Sequence, residues 1–537
     1  MTKRQITIYD TTLRDGAQTV GISFSLQDKL LIARALDRIH IDYIEGGWPG
    51  ANPKDDQFFQ EVRKLDLGHA AIVAFGSTKR KGVSCTKDPL LQALIASKAR
   101  IVTIVAKTWD FHVTHALGIS LKQNIALTRD TVAYLKDRGL TVFLDAEHYF
   151  DGYLANPDYA LRVACAACEA GADMIVLCDT NGGAMPDQVR EIVAASLTQM
   201  GAPIGVHFHN DAGLAVANSI AAVSAGAASV QGTANGYGER CGNANLMTLI
   251  PNLVLKLGYR CNAADYLSHL TETSRFISET ANLAHDERAP YVGNNAFAHK
   301  GGIHVSALEK DTRTYEHIRP ELVGNRRRVL VSELSGKSNI IAKARELGIT
   351  LPDRISLPTD LVKKIKCLED KGFQFEAAEG SLELLIREAT GEYRPFFILK
   401  GFRVISEMRG NEKLMCEATI KVEVNGREKH TAANGYGPVE ALDNALRKAL
   451  EAFYPEIREM HLSDYKVRVL NEKSGTASSV RVLVDQKRHT DHWGTVGVSA
   501  DIIEASWRAI VDGIEYMLYK QRTRSARGNA PKRASSD

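Results

Sequence analysis

The sequence predicts an α/β fold: a (β/α)8 TIM barrel, then small helical connector subdomains and a duplicated α+β regulatory module. Three observations carry that expectation. The chain has 537 residues, which at roughly 150 per domain leaves room for three to four domains. Over about its first 250 residues, short apolar β-rich runs alternate with amphipathic helical stretches, the signature of a parallel sheet covered on both faces. Most of those runs end in a polar or charged residue, and in a closed barrel such ends converge on one mouth.

The runs are ITIYD (6–10), YIEGG (43–47), AIVAFG (71–76), IVTIVAK (101–107), TVFLDAE (141–147), MIVLCDT (174–180), IGVHFHN (204–210) and SVQGTAN (229–235). Their ends supply Asp10, Glu45, Lys107, Glu147, Asp179 with Thr180, His207 with His209, and Asn235. Any one of these reads more readily as a helix cap or loop charge, but the shared bias points to a site. A doubly wound sheet is the rival architecture. It favours a glycine fingerprint after the first strand, and TTLRDGAQ (11–18) contains no G-x-G-x-x-G.

The barrel is expected over 1–275 and helical connector subdomains, broken by prolines, over 276–395. A duplicated regulatory domain follows at 396–521. Its strand-like runs EATIKVEV and ASSVRVLV each lead into a glycine-containing turn and a helix, at 434–446 and 495–507. Residues 522–537 are polar and basic and are expected to be a disordered tail.

Composition narrows the function classes. With 67 Lys+Arg against 64 Asp+Glu the net charge is +3, against a dedicated nucleic-acid binder. No long uncharged apolar run suits a membrane span, and the charged N-terminus does not suit a secretion signal, so a cytoplasmic protein is expected. Eight cysteines are too few for a disulfide framework, and the Cys165–Cys168 pair lies in an alanine-rich helix that reads as packing. Arg326, Arg327 and Arg328 read as a solvated run or a phosphate contact, and SGKSN (335–339) lacks the first glycine of a P-loop.

The chemistry concentrates at His207-Phe208-His209. Strand alternation puts both imidazoles on one side, and Asp15 follows the first strand, a neighbour of the seventh in a closed barrel. Two imidazoles and a carboxylate make a mixed N/O set for a divalent ion with open positions.

TTLRDGAQ (11–18), HFHNDAGLAVANS (207–219) and NGYGERCGNANL (235–246) resemble the metal-dependent condensing and lyase barrels that include isopropylmalate, homocitrate and citramalate synthases. HKGGIHVSAL (299–308) and TYEHIRPELVG (314–324) resemble the connector of the synthases, and the C-terminal duplication resembles their amino-acid-sensing domain. WPGANPKD (48–55) and KTWDFHVTHALG (107–118) are most similar to the citramalate-forming branch.

The resemblance implies Asp15, His207 and His209 as ligands to Mg, Mn, Co or Zn, with Asn243 as a further, weaker one. It implies Arg14 against the keto-acid oxygens, Thr180 as donor to the substrate carboxylate, and Glu147 as an acid beside the reacting carbonyl. His304 and Tyr315 match connector residues that in the family usually complete the partner subunit's site, so a homodimer is implied. The implied reaction joins acetyl-CoA to pyruvate and hydrolyses the product to citramalate and CoA, with isoleucine as feedback effector. His304, Glu147 or an intervening water are the alternatives for the base. Trp48 and Trp109, both after strand ends, are expected to crowd the acceptor pocket and favour a methyl group over a branched chain. A lyase of the same barrel family and a silent amino-acid sensor are the rival classes.

Overall fold

Eight parallel strands close on themselves in the computed structural model, which describes residues 4–332, 335–352, 357–408, 410, 414–470, 478–489 and 491–528, with side chains up to 524. They are β1 (Thr7–Asp10), β2 (Tyr43–Gly47), β3 (Ala71–Ser77), β4 (Ile101–Lys107), β5 (Thr141–Glu147), β6 (Met174–Asp179), β7 (Ile204–Phe208) and β8 (Ser229–Gly232). Each pairs with its sequence neighbours, and β8 closes onto β1. Strand alternation divides the side chains. Val142, Leu144 and Ala146 of β5 enter the apolar layer under the helices, while Phe143 joins Tyr9, Val73, Val176 and Cys178 inside the barrel.

The helices start where their caps dictate. Ser25 and Asp28 form a capping box at Leu26–Arg38, and Asn52 and Asn156 cap helices whose first residues are Pro53 and Pro157. Cys165 and Cys168 are half-buried against the core of the barrel, in keeping with a packing role.

The chain forms two compact units. One holds residues 1–297 and 318–327, the other 298–317 and 328–537. The expected connector is therefore divided. Ala289, Val292, Phe297 and Val323 belong to the core of the barrel unit, whereas Val331, Ile340, Leu361, Leu382 and Ile386 share a core in the second. SGKSN is structural, since buried Asn339 accepts from Gly336 and donates to the carbonyls of Lys300 and Leu330. Arg328 of the arginine run pairs with Glu379 at 3.0 Å.

In the second unit, β9 (Ala298–His299) pairs with β10 (Arg328–Val329). The duplication is richer than the sequence suggested. β11 (Ile398–Glu407), β12 (Met415–Val424) and β13 (Arg427–Gly435) form one antiparallel sheet before the helix Pro438–Leu450. β14 (His461–Val469), β15 (Val480–Arg488) and β16 (Asp491–Ser499) repeat it before the helix Ile502–Gly528. The two runs visible in the sequence belong to the central strands β12 and β15. β12 buries Cys416, Ala418, Ile420, Val422 and Val424 beneath Leu442 and Leu446. The final helix runs to Gly528, so 522–528 is helical rather than tail, and 529–537 lies outside the described residues. Among the described residues no helix is long and apolar enough to cross a membrane.

Candidate active site

The turn after β1 is held by its own polar side chains. Asp10 accepts from the Thr12 amide and hydroxyl, and Thr12 in turn accepts from the Ala234 amide, tying the turn to the end of β8. Burial pushes the Asp10 carboxyl up to about 7, although the Thr12 contacts oppose it. Asp10 is thus a turn residue. Asp179, which accepts from the Ala184 amide, and Asn235, which donates to the Ser274 carbonyl, are likewise structural.

The turn delivers Asp15 to the histidines. Its Oδ2 lies 3.3 Å from His207 Nε2 and 3.8 Å from His209 Nε2, and it accepts from Asn243 Nδ2 at 2.9 Å. The candidate ligand atoms of Asp15, His207 and His209 lie within 4.8 Å of one another, and all three residues are buried. Asn243 reaches them because its backbone bridges to His209 across the tight turn at Gly242. Gly242 has φ +85°, and a Cβ there would lie 2.0 Å from the Gly236 carbonyl oxygen.

These groups fit a cation. Asp15 Oδ1, Asn243 Oδ1 and His209 Nδ1 are buried without a hydrogen-bond partner. Clustered orphan atoms of this kind are costly unless an ion or ligand satisfies them. Burial would raise the Asp15 carboxyl, but Arg14, then His207 and His209, hold it well below the usual carboxylate range. Burial and the neighbouring His207 press His209 down to about 3, leaving a neutral imidazole of the kind a divalent ion binds.

Above this cluster opens a cavity of about 530 Å³, lined by Arg14, Asp15, Trp48, Glu147, Thr180 and His209. Arg14 lies over the Phe75 ring, 4.0 Å from its centroid, and its Nε donates to buried Glu45. Glu45 accepts from the Tyr9 hydroxyl at 2.9 Å, so the arginine is aimed by a chain of groups rooted inside the barrel. Glu147 pairs with Lys107 across the ends of β5 and β4. The Thr180 hydroxyl accepts from the His148 amide at 2.9 Å, which leaves its own proton for a ligand.

The family of the chain is visible along its whole length. The HMGL-like family matches residues 5–277, the homocitrate synthase post-HMGL domain-like family 291–372, and the LeuA allosteric (dimerisation) domain 376–518. A protein of Geobacter sulfurreducens named (R)-citramalate synthase is 54% identical over 516 residues, covering 96% of this chain and 98% of its own. The chain belongs to the (R)-citramalate synthase family. A Synechocystis protein of the same name is 53% identical over 528 residues, covering 96% of each chain. A probable 2-isopropylmalate synthase of Methanopyrus kandleri is 34% identical over 522 residues, covering 96% of this chain and 99% of its own.

In this member of the (R)-citramalate synthase family the two tryptophans part company. Trp48 lines the cavity, edge-on to Phe75 at 5.2 Å. Trp109 is not among the lining residues. It precedes a short helix and packs on His112 and His148, because the chain turns away after β4 to start that helix. Of the two indoles expected near the acceptor, Trp48 thus lies on the cavity wall and Trp109 on the helix side. His304 and Tyr315 lie in the second unit, their rings stacked with centroids 4.0 Å apart.

Sequence reasoning missed three features of the site. Lys79, Arg80 and Lys81 put a cationic edge on the cavity, a signal present as KRK after β3. Inside the barrel, Gln231 and Asp145 stand behind His207. A glutamine and an aspartate within otherwise apolar core strands were the available signal. Tyr9, which steadies Glu45, was hidden in the apolar run of β1.

Proposed function

We propose that this protein joins acetyl-CoA to pyruvate and hydrolyses the product to (R)-citramalate and CoA. The observation that carries the reading is the near full-length identity with (R)-citramalate synthases, together with the Asp15–His207–His209 cluster at the barrel mouth. Asp15, His207 and His209, with Asn243 beside them, would hold a divalent ion, which when bound would supply Lewis-acid polarisation of the keto acid. Arg14, fixed by Glu45 and stacked on Phe75, places its charge where the keto oxygen becomes an alkoxide. Thr180 offers its hydroxyl proton to the substrate carboxylate. Lys79, Arg80 and Lys81 give the phosphates of CoA a cationic edge to meet.

A base removes a methyl proton from the acetyl thioester, the resulting carbanion attacks the keto carbon, and water then cleaves the thioester to release CoA. Glu147 and His304 are the candidate bases, His304 on the strength of the family pattern. Trp48 beside Phe75 limits the acceptor to a small substituent. The C-terminal module carries the feedback response, with isoleucine as effector, and dimerises the enzyme, which works in the cytoplasm.

The direct test is thiol release from acetyl-CoA with pyruvate, before and after chelation. Release that needs both pyruvate and a divalent ion is the expected result. His304→Ala is expected to lose about 100-fold or more in turnover while binding the ion as the parent does. Loss of the ion in that variant would sink the separation of roles.

A further inference from the structure

The residues behind His207 form an ordered chain. Gln231 lies beside His207 in the β7–β8 register, and its Oε1 is 2.9 Å from His207 Nδ1. From the other end of the amide, Nε2 donates to Asp145 Oδ1 at 3.1 Å, across the barrel interior on β5. Gln231, Asp145 and His207 are 1%, 4% and 5% exposed, so these contacts are shielded from bulk solvent. The polarity then runs one way. Asp145 accepts a hydrogen bond from Gln231 Nε2, which turns the amide oxygen to His207, and that oxygen accepts a hydrogen bond from Nδ1–H. With Nδ1 so engaged, Nε2, the nitrogen 3.3 Å from Asp15, is the ring atom that would be offered to an ion held between them.

We propose that Gln231 and Asp145 are positioning residues that fix the tautomer and orientation of His207 for metal binding. The inference rests on reading Asp15, His207 and His209 as a metal site, and it assigns that site an outer shell. Outer-shell partners of a ligating histidine commonly contribute about 10–100-fold in metal affinity. A packing role would depend on the shapes of Gln231 and Asp145. A positioning role depends on the direction of their hydrogen bonds, and isosteric exchanges separate the two.

Mn²⁺ titration of the full-length protein, followed by the EPR signal of the free ion, reads this directly. Gln231→Leu removes the acceptor and is expected to weaken binding about 10–100-fold. Gln231→Glu alone sets a carboxylate against Asp145 and is expected to weaken it as well. The double variant Gln231→Glu/Asp145→Asn restores one N–H donor facing one acceptor, and the introduced carboxylate still accepts from His207 Nδ1. It is expected to return affinity to within about threefold of the parent. Parental affinity in Gln231→Leu, or failure of the double variant to recover, overturns the relay while leaving the metal site standing. A parent that takes up no Mn²⁺ overturns the metal site and the relay together.

Discussion

Arg14 shows how much of this site is arranged by groups that never meet substrate. Its guanidinium is charged in any folded state, so what the barrel supplies is direction, through buried Glu45 and the Tyr9 hydroxyl behind it. Glu45→Gln keeps the shape but removes the charge-assisted bond, and kcat/KM for pyruvate should fall about 10–100-fold with Mn²⁺ affinity unchanged. Steady-state kinetics and the titration above check both halves. In the proposed reading Trp48 acts by volume. Trp48→Ala should raise kcat/KM for 2-ketoisovalerate relative to pyruvate by about tenfold, since each extra methylene in an apolar pocket is worth about 1–3 kcal/mol. The Asp15–His207–His209 cluster was legible in the sequence because H-x-H on a strand fixes two side chains on one face. Trp109 could not be placed from its sequence position, because a site after a strand end does not tell which way the following helix turns. Gln231 and Asp145 stayed hidden because their roles come from strand register, which a single run does not reveal.

At the scale of elements, the final helix Ile502–Gly528 carries acids into a core. Glu515 accepts from the Phe396 amide and the Tyr393 hydroxyl, and Asp512 accepts from Ser381. Burial pushes Glu515 from its ordinary 4.5 up to about 7, against the bonds from Phe396 and Tyr393, with Asp512 nearby adding to the rise. Burial likewise pushes Asp512 to about 6, with Ser381 opposing and Glu388 adding. Both folded values lie above the unfolded ones, so between about pH 4.5 and 7 the folded unit holds protons that the unfolded chain has released. Stability from these groups is present below that window and lost as pH rises through it. Thermal melts of the parent should therefore show the C-terminal unit weakening from about pH 4.5 to 7, and Glu515→Gln should flatten that dependence. A melt profile unchanged by the substitution would contradict the burial argument. The same unit shows why the duplication was half-read. β12 and β15, flanked on both sides, carry the apolar alternation that the sequence showed, while the edge strands β11 and β14 are largely exposed, so their apolar residues do not mark a buried face.

Across the whole molecule, the barrel was readable because parallel strands covered on both faces leave continuous apolar runs, and eight of them admit few arrangements. The connector was not readable as it folds, since residues close in sequence join different cores. Ile318–Arg327 belongs with the barrel, and the stretches on either side belong with the second unit. The length beyond a catalytic barrel thus goes to a second unit, in which residues 376–518 match the LeuA allosteric (dimerisation) domain. The proposed function stands or falls on the acceptor. The decisive measurement compares kcat/KM for pyruvate and 2-ketoisovalerate, by thiol release from acetyl-CoA at saturating divalent metal. Pyruvate should be preferred by tenfold or more, as expected for about one to two excluded methylenes. Equal or better turnover of 2-ketoisovalerate would contradict the assignment.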